Sequence, residues 1–150
     1  MSRKIILLFF FLVCAPFSVQ AETIVPSNIK VSDGDTVRAY GERYRLVGFD
    51  TPETWSRRRY VSKAERALGR KARQRLKELI ASGPVEFKEV PCACTKGTKR
   101  DKQGKCRTND RLCAVLLVDG KDVGRTLIAE GLAREFVCTA TECPRQLPWP

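Results

Sequence analysis

The chain has 150 residues, of which 43% are hydrophobic and 30% are charged, and its formal net charge is +11. This length suits one domain, and the balance of hydrophobic and charged residues excludes an intrinsically disordered chain. The excess of positive charge favours polyanionic partners, although a basic surface is also common among soluble proteins.

Residues 1–21 have the organisation of a signal peptide. A basic pair at residues 3–4 is followed by an apolar run at residues 5–13 and a small-residue cleavage site at residues 19–21. The run is about half as long as a membrane-spanning helix requires, which makes an uncleaved anchor or a buried helix the weaker alternatives. We therefore expect a periplasmic or secreted mature domain at residues 22–150, most simply a monomer, with no stable membrane association after cleavage. Its net charge would be +9, because the removed segment carries two positive charges and no negative charge.

The first part of this domain is predicted to form strands around tight turns. Apolar residues alternate over residues 24–39, and the acidic turn Asp33-Gly34-Asp35 interrupts them. The alternation continues over residues 44–49 after a turn at Gly41, and Pro52 ends it because proline cannot continue a strand ladder.

Residues 62–82 are predicted to form the longest helix. Ser62 and Glu65 have the spacing of a capping box, and Gly83-Pro84 ends the periodic pattern. Apolar residues at helical spacing predict the face that packs on the core: Ala64, Leu68, Ala72, Leu76, Leu79 and Ile80.

The remaining segments predict two more strands and a second helix. Residues 85–90 and 113–119 are strand-like, and the polar, lysine-rich residues 91–109 form a long loop between them. Asp122 is predicted to cap a short helix that ends near Gly131. About five strands with two or three helices predict an α+β, mainly β fold, arranged as a small barrel.

Six cysteines remain once Cys14 is removed with the signal peptide: Cys92, Cys94, Cys106, Cys113, Cys138 and Cys143. An even number in a small exported domain favours disulfides. A zinc site is the weaker alternative, because Cys92-Ala93-Cys94 lacks the usual two-residue spacer and the chain has no histidine. The sequence does not choose among the possible pairings.

Two acidic turns end strands of the predicted barrel, at residues 33–35 and 50–53. Crowded carboxylates are tolerated around a hard divalent cation, so calcium or magnesium is favoured. Arg45, with its planar donor fork, suits phosphate, but it lies five residues before Asp50. A regular strand would put these two side chains on opposite faces unless the chain bends at Gly48.

Several segments in order resemble the staphylococcal nuclease (thermonuclease) family over about residues 24–137. They are Asp-Gly-Asp-Thr at residues 33–36, Arg-Leu-Val-Gly-Phe-Asp-Thr-Pro-Glu at 45–53, Arg-Leu-Cys-Ala at 111–114, Asp-Gly-Lys-Asp-Val at 119–123 and Gly-Leu-Ala at 131–133. The resemblance implies a five-stranded oligonucleotide-binding (OB-fold) barrel. It also implies a calcium-dependent phosphodiester hydrolase that acts on DNA and RNA with little sequence specificity.

The resemblance implies metal ligands among the acidic turns. Asp35 and Asp50 match carboxylates that bind a catalytic calcium ion, and the backbone carbonyl of Thr51 matches a further ligand. Asp33 matches an acidic residue close to that metal.

The resemblance also implies three catalytic residues. Glu53 matches the residue that orients or deprotonates the attacking water, and Arg45 and Arg111 match the two arginines that clamp the phosphate. Arg111 is chosen by counting back from Asp119-Gly120, and Lys105 is the competing candidate.

The chain departs from the family pattern in three places. The run at residues 107–111 lacks the usual glycine and tyrosine, so nearby cysteines are expected to set its geometry. Val137 and Thr139 stand where tyrosines flank the substrate, which predicts weaker base stacking. The C-terminal helix is missing, and disulfides and Trp149 are expected to replace its packing.

Two other functions compete with an enzyme. One is a non-catalytic, exported OB-fold module that only binds nucleic acid, and the other is an exported scaffold held together by disulfides. The joint presence of the carboxylates and arginines favours the enzyme, because neither stacking nor phosphate binding requires a metal cluster.

Overall fold

The computed structural model describes residues 22–57 and 59–150. The predicted signal peptide at residues 1–21 lies outside this range. None of the helices in the described part of the chain is long and apolar enough to cross a membrane.

Short strands dominate the described residues, with one long and one short α-helix. The strands are β1 (Glu22–Ile24), β2 (Lys30–Asp33), β3 (Thr36–Ala39), β4 (Glu42–Leu46), β5 (Gly48–Asp50), β6 (Val85–Val90), β7 (Lys99–Arg100), β8 (Cys106–Arg107), β9 (Leu112–Val118), β10 (Lys121–Asp122) and β11 (Arg134–Phe136). The helices are α1 (Lys63–Ala81) and α2 (Val123–Ala129), and Pro26–Asn28 form a 3-10 turn.

The main sheet curls into a barrel because one chain segment reaches both of its edges. The strand order is β1-β6-β9-β4-β3-β2, and β10 adds to β9. β1 and β2 belong to the same segment, separated by the turn Pro26–Asn28. This segment, β3, β4, β6 and β9 make up the predicted five-stranded barrel, so the α+β, mainly β prediction is confirmed.

The parallel pairing of β4 with β9 places the two candidate arginines at one end of the barrel. Arg45 is in register with Cys113 on β9 and with Thr36 on β3. Arg111 immediately precedes β9, whose first residue pairs with Tyr44, the neighbour of Arg45. A parallel neighbour cannot be deduced from strand periodicity, since it depends on the crossover between β4 and β9.

Helix α1 packs on the core along the predicted face, with Ala72, Leu76 and Ile80 buried. The prediction is wrong for Ala64, which is exposed at the first turn of the helix, before its contact with the barrel begins. The Ser62 side chain caps the helix by accepting a hydrogen bond from the backbone N–H of Glu65 (2.9 Å).

The six cysteines form three disulfides, which confirms the expectation from their number. The pairs are Cys92–Cys113, Cys94–Cys106 and Cys138–Cys143. The first two attach the predicted long loop to β9 and to itself, and a short hairpin of β7 and β8 lies within it. The loop is therefore cross-linked at both ends.

The second helix and the strand that follows it complete the fold. The Asp122 side chain caps α2 by accepting from the backbone N–H of Arg125 (3.0 Å), as predicted. Gly131, beyond the helix, has a φ of 71°. The chain then forms β11, which the sequence pattern did not reveal, and β11 pairs with β5 in a separate two-stranded sheet.

Candidate active site

The two acidic turns contact each other directly. A Cβ atom added to Gly34 would lie 2.7 Å from the Thr51 hydroxyl oxygen, so only glycine permits this approach. The backbone N–H of Thr51 donates to Asp35 Oδ2 (3.3 Å), and Asp35 and Thr51 are both buried. The convergence of the turns is thus built into the packing of their backbones.

Arg45 lies between the carboxylates of the two turns. Its Nη1 forms an ion pair with Asp35, and its Nη2 donates to Asp50 Oδ1 (3.3 Å) and to the carbonyl of Phe49 (2.9 Å). Gly48 has a φ of +94°, so the chain does bend where a regular strand would have separated Arg45 from Asp50. The guanidinium thus contacts both turns.

The Arg45 guanidinium is buried between these two carboxylates. Burial, followed by the positive charge of Arg111, lowers the pKa of Arg45 to about 10. The group therefore remains charged at neutral pH. A positive charge held in a poorly solvated position attracts an anionic ligand more strongly than one in water.

Arg111 reaches the Asp35 carboxylate through Thr36. Its Nη1 donates to Thr36 Oγ1 (2.8 Å), and this hydroxyl donates to Asp35 Oδ1 (3.0 Å). The Nε atom of Arg111 donates to the carbonyl of Thr108 (3.2 Å), which orients the guanidinium further.

A tight turn replaces the glycine-containing run of the family before Arg111. Thr108 and Arg111 exchange backbone hydrogen bonds (2.9 and 3.1 Å), and Asn109 and Asp110 have φ values of 52° and 60°. Asparagine and aspartate tolerate this left-handed conformation better than most residues. The Asn-Asp pair therefore forms a tight turn where the family has a glycine, and the disulfide-bonded Cys106 and Cys113 lie on either side of it in sequence.

Lys105, the competing candidate for the second cation, lies elsewhere. Its ammonium group pairs with Glu89 (2.7 Å), and the side chain is largely exposed. Lys105 is not among the residues that line the cleft described below, whereas Arg111 is.

Glu53 is half-buried next to other acidic groups. Burial is the main cause that raises its pKa, and the charges of Asp33 and Asp50 raise it further, whereas Arg45 and Arg111 oppose the shift. Burial likewise raises the pKa of Asp33. Five charged groups at this end of the barrel therefore influence one another.

Helix α1 positions the backbone of Glu53. The Glu65 carboxylate accepts a hydrogen bond from the Glu53 backbone N–H (3.2 Å) and two from Arg59. A Cβ atom added to Gly69 would lie 2.5 Å from the carbonyl oxygen of Pro52. The helix therefore packs closely against the second acidic turn. This role of Glu65 differs from the reciprocal half of a capping box, which the Ser62–Glu65 spacing predicts.

A cleft of about 1020 Å³ opens at this end of the barrel. It is lined by five of the six candidate site residues: Asp35, Arg45, Asp50, Glu53 and Arg111. The sixth, Thr51, does not line the cleft. It is buried, and its backbone N–H donates to Asp35 as described above.

Comparison with known proteins identifies the family. The family model described as staphylococcal nuclease homologue matches residues 43–147. The chain belongs to the staphylococcal nuclease family. Its barrel is accordingly an OB-fold, in agreement with the implied fold.

Two bacterial relatives are similar over 108 residues. Endonuclease YncB of Bacillus subtilis (strain 168) is 39% identical, over 68% of this chain and 43% of the relative. The SPbeta prophage-derived endonuclease YokF of the same organism is 38% identical, over 68% of this chain and 31% of the relative. The chain thus spans less than half the length of either relative.

The family implies a calcium ion, and the donor atoms present fit a hard cation in kind. Asp35 and Asp50 lie on either side of the Arg45 guanidinium, and carboxylate and carbonyl oxygens are the ligands that calcium prefers. Among the described residues, however, no group of three or more acidic, histidine or cysteine side chains is arranged as a ready metal site. The ligand set would therefore consist of two carboxylates and a backbone carbonyl.

The last part of the chain contributes contacts around Asp50 that the sequence did not reveal. Asp50 Oδ2 accepts from Arg134 (3.0 Å) and Trp149 (3.3 Å), and Oδ1 accepts from Gln146 (3.2 Å). The only signal for Arg134 was its place directly after Gly-Leu-Ala at residues 131–133. The contacts of Gln146 and Trp149 depend on how the proline-containing tail folds back over the barrel.

Proposed function

We propose that this chain is a calcium-dependent nuclease that hydrolyses phosphodiester bonds in DNA and RNA with little sequence specificity. The supporting observation is that Arg45 and Arg111 both converge on Asp35, one directly and the other through Thr36. Two guanidinium groups beside carboxylates in one cleft suit a reaction in which negative charge develops on a phosphate. The relatives named as endonucleases lend independent support.

The arginines have the transition-state role. When water attacks phosphorus, charge accumulates on the non-bridging oxygens of a five-coordinate phosphorus centre, and planar N–H donors bind those oxygens. Arg45 starts from a buried, prearranged position, so little reorganisation accompanies charge development. Arg111 is anchored through Nε and Nη1, on a turn fixed by backbone hydrogen bonds.

Glu53 is the group that takes the proton. The water oxygen forms a bond to phosphorus, its proton passes to the Glu53 carboxylate, and the bond from phosphorus to the leaving oxygen breaks. Solvent water protonates the leaving oxygen, and Glu53 then returns its proton to solvent. A carboxyl whose pKa is raised is a better base than an ordinary one, and burial next to Asp33 and Asp50 raises the pKa of Glu53.

Asp35, Asp50 and the carbonyl of Thr51 would hold the cation. When bound there, the ion would supply positive charge that polarises a phosphoryl oxygen and offsets the charge of the carboxylates. The proposal also includes export to the periplasm or the medium, because three disulfides suit an oxidising compartment.

A nicking assay on supercoiled plasmid, with calcium and with a chelator, tests this proposal, and a labelled RNA tests the second substrate. Cleavage should require calcium, and Glu53→Gln should lower the rate by about 10²- to 10⁴-fold. Glu78→Gln, which changes an exposed carboxylate on α1, should keep the wild-type rate.

Two results would contradict the proposal. Undiminished cleavage by Glu53→Gln would remove Glu53 as the base. Binding of plasmid without any cleavage in calcium would favour the non-catalytic OB-fold module instead.

A further inference from the structure

The loop between β6 and β9 forms one wall of the cleft, and Arg111 at its end is the one member that the proposed mechanism uses. Residues 91–111 contain seven lysines and arginines and two aspartates, a net charge of +5. Four of these basic residues line the cleft: Lys96, Lys99, Arg107 and Arg111.

The position of this basic wall is restrained by covalent and backbone contacts. Cys92 is bonded to Cys113 on β9, and Cys94 is bonded to Cys106 on β8. The backbone N–H of Cys94 also donates to the carbonyl of Ala140 (2.7 Å) in the C-terminal tail. A ligand that contacts the wall therefore meets an ordered surface, which lowers the entropic cost of binding.

The charges of the wall are not equivalent. Lys105 pairs with Glu89 (2.7 Å), and Arg107 pairs with Glu42 (2.7 Å), so acidic groups of the protein partly neutralise both. Lys96 and Lys99 are exposed, and neither forms an ion pair within residues 22–57 and 59–150. Among the lysines of the wall, these two line the cleft and are available to an anion in it.

An aromatic ring borders the same cleft. Trp55 follows the second acidic turn, has 62% of its surface exposed, and contacts the guanidinium of Arg57 at 5.5 Å from the ring centroid. A large exposed indole in a polar cleft is a surface on which an unpaired base can stack, whereas a base within a duplex is already stacked.

We infer that the cleft binds a single-stranded polynucleotide on both sides of the scissile bond, with Lys96 and Lys99 contacting flanking phosphates and Trp55 stacking against a base. This inference rests on the proposed nuclease function, because the scissile phosphate lies between Arg45 and Arg111. It assigns binding roles to the disulfide-linked loop 91–111 and to Trp55.

Binding is measured without cleavage, by fluorescence anisotropy of a labelled oligothymidylate of about 12 nucleotides, a length typical of such sites, in the presence of a chelator. The salt dependence of the affinity reports the number of phosphates neutralised. Lys96→Ala/Lys99→Ala should weaken binding about tenfold at low salt and reduce the slope of log K against log[salt] by about 1.4. The control is Lys71→Ala/Lys77→Ala, which removes two exposed lysines of α1. It should change neither the affinity nor the salt slope.

Stacking is tested separately from charge. Trp55→Ala should weaken single-strand binding about tenfold with an unchanged salt slope, and Trp55→Phe should retain most of the affinity. Tyr60→Ala removes another exposed aromatic ring, 81% accessible, that does not line the cleft, and should have no effect.

The outcomes separate this inference from the nuclease proposal. The inference would be overturned if the lysine double variant and its control lost the same affinity for the oligonucleotide. It would also be overturned if Trp55→Ala lost as much affinity for a duplex as for the single strand. Either result would count even if plasmid is cleaved. The expected losses without any calcium-dependent cleavage would support the binding surface and refute the nuclease. A wild-type protein that does not bind the oligonucleotide would overturn both.

Discussion

The indole N–H of Trp149 donates a hydrogen bond to Asp50 Oδ2 at 3.3 Å, which links the penultimate residue of the chain to the centre of the candidate site. The guanidinium of Arg134 lies 4.4 Å from the centroid of the same indole and donates to the same carboxylate oxygen. Because these donors and a cation would use the same lone pairs, the tail and calcium should compete for Asp50.

This competition predicts tighter calcium binding when tail donors are removed. Gln146→Ala/Trp149→Phe should raise the affinity for calcium about fivefold, because hydrogen bonds that stabilise the metal-free carboxylate are lost. Isothermal titration calorimetry of the chelator-treated protein measures the change. Gln74→Ala on α1 is the control, and unchanged affinity in the double variant would show that the tail and the ion do not compete.

The second arginine is predicted to act mainly in the transition state. Arg111→Lys should lower kcat about 100-fold, since an ammonium group cannot reproduce the planar donor fork, while the KM for an oligonucleotide changes less than about threefold. Lys105→Ala, which removes a cation paired with Glu89, should keep the wild-type kcat. A loss confined to Lys105→Ala would transfer the role to that residue.

The contact between the two acidic turns predicts a packing defect in Gly34→Ala. The new Cβ would lie 2.7 Å from Thr51 Oγ1, so the free energy of unfolding should fall by about 1–3 kcal/mol. Urea denaturation provides the measurement, and Ser32→Ala on the exposed part of β2 is the control. Thr51→Ala should restore part of the loss in the double variant, and additive effects would contradict direct contact.

The Glu65 carboxylate is expected to stabilise the fold to an extent that depends on pH. The hydrogen bond from Arg59 lowers the pKa of the Glu65 carboxyl below its unfolded value of 4.5, so its stabilisation is present above about pH 4.5 and is lost as the pH falls through the folded pKa. Glu65→Gln should lower the free energy of unfolding by about 1 kcal/mol at pH 7. This value is small because Arg59 is partly exposed and solvent screens its charge. Urea denaturation at pH 7 and below pH 4 should show this difference shrinking.

The matched control for Glu65 is Glu78→Gln, an exposed carboxylate on the same helix, which should behave like wild type at both pH values. A difference between Glu65→Gln and wild type that stays constant down to acid pH would instead indicate loss of packing or of the bond to the Glu53 N–H.

The linear pattern of the chain determined the elements and the candidate residues. Three features depend on neighbours only a few residues apart: the turn at Asp33-Gly34-Asp35, the apolar face of α1 and the cap at Asp122. Periodicity and local hydrogen bonding were therefore sufficient to predict them. The even number of cysteines predicted disulfides, and the ordered motifs predicted the family and its barrel, which the structure and the comparisons confirm.

Only the tertiary structure decided which residues meet. The pairing of cysteines, the parallel contact of β4 with β9, and the fold-back of the tail onto Asp50 join positions that lie far apart in sequence. Such contacts follow from how the barrel closes, and closure depends on the packing of all strands together and not on any local pattern. The sequence alone could therefore propose Arg45 and Asp50 as partners, but it could not determine what else surrounds them.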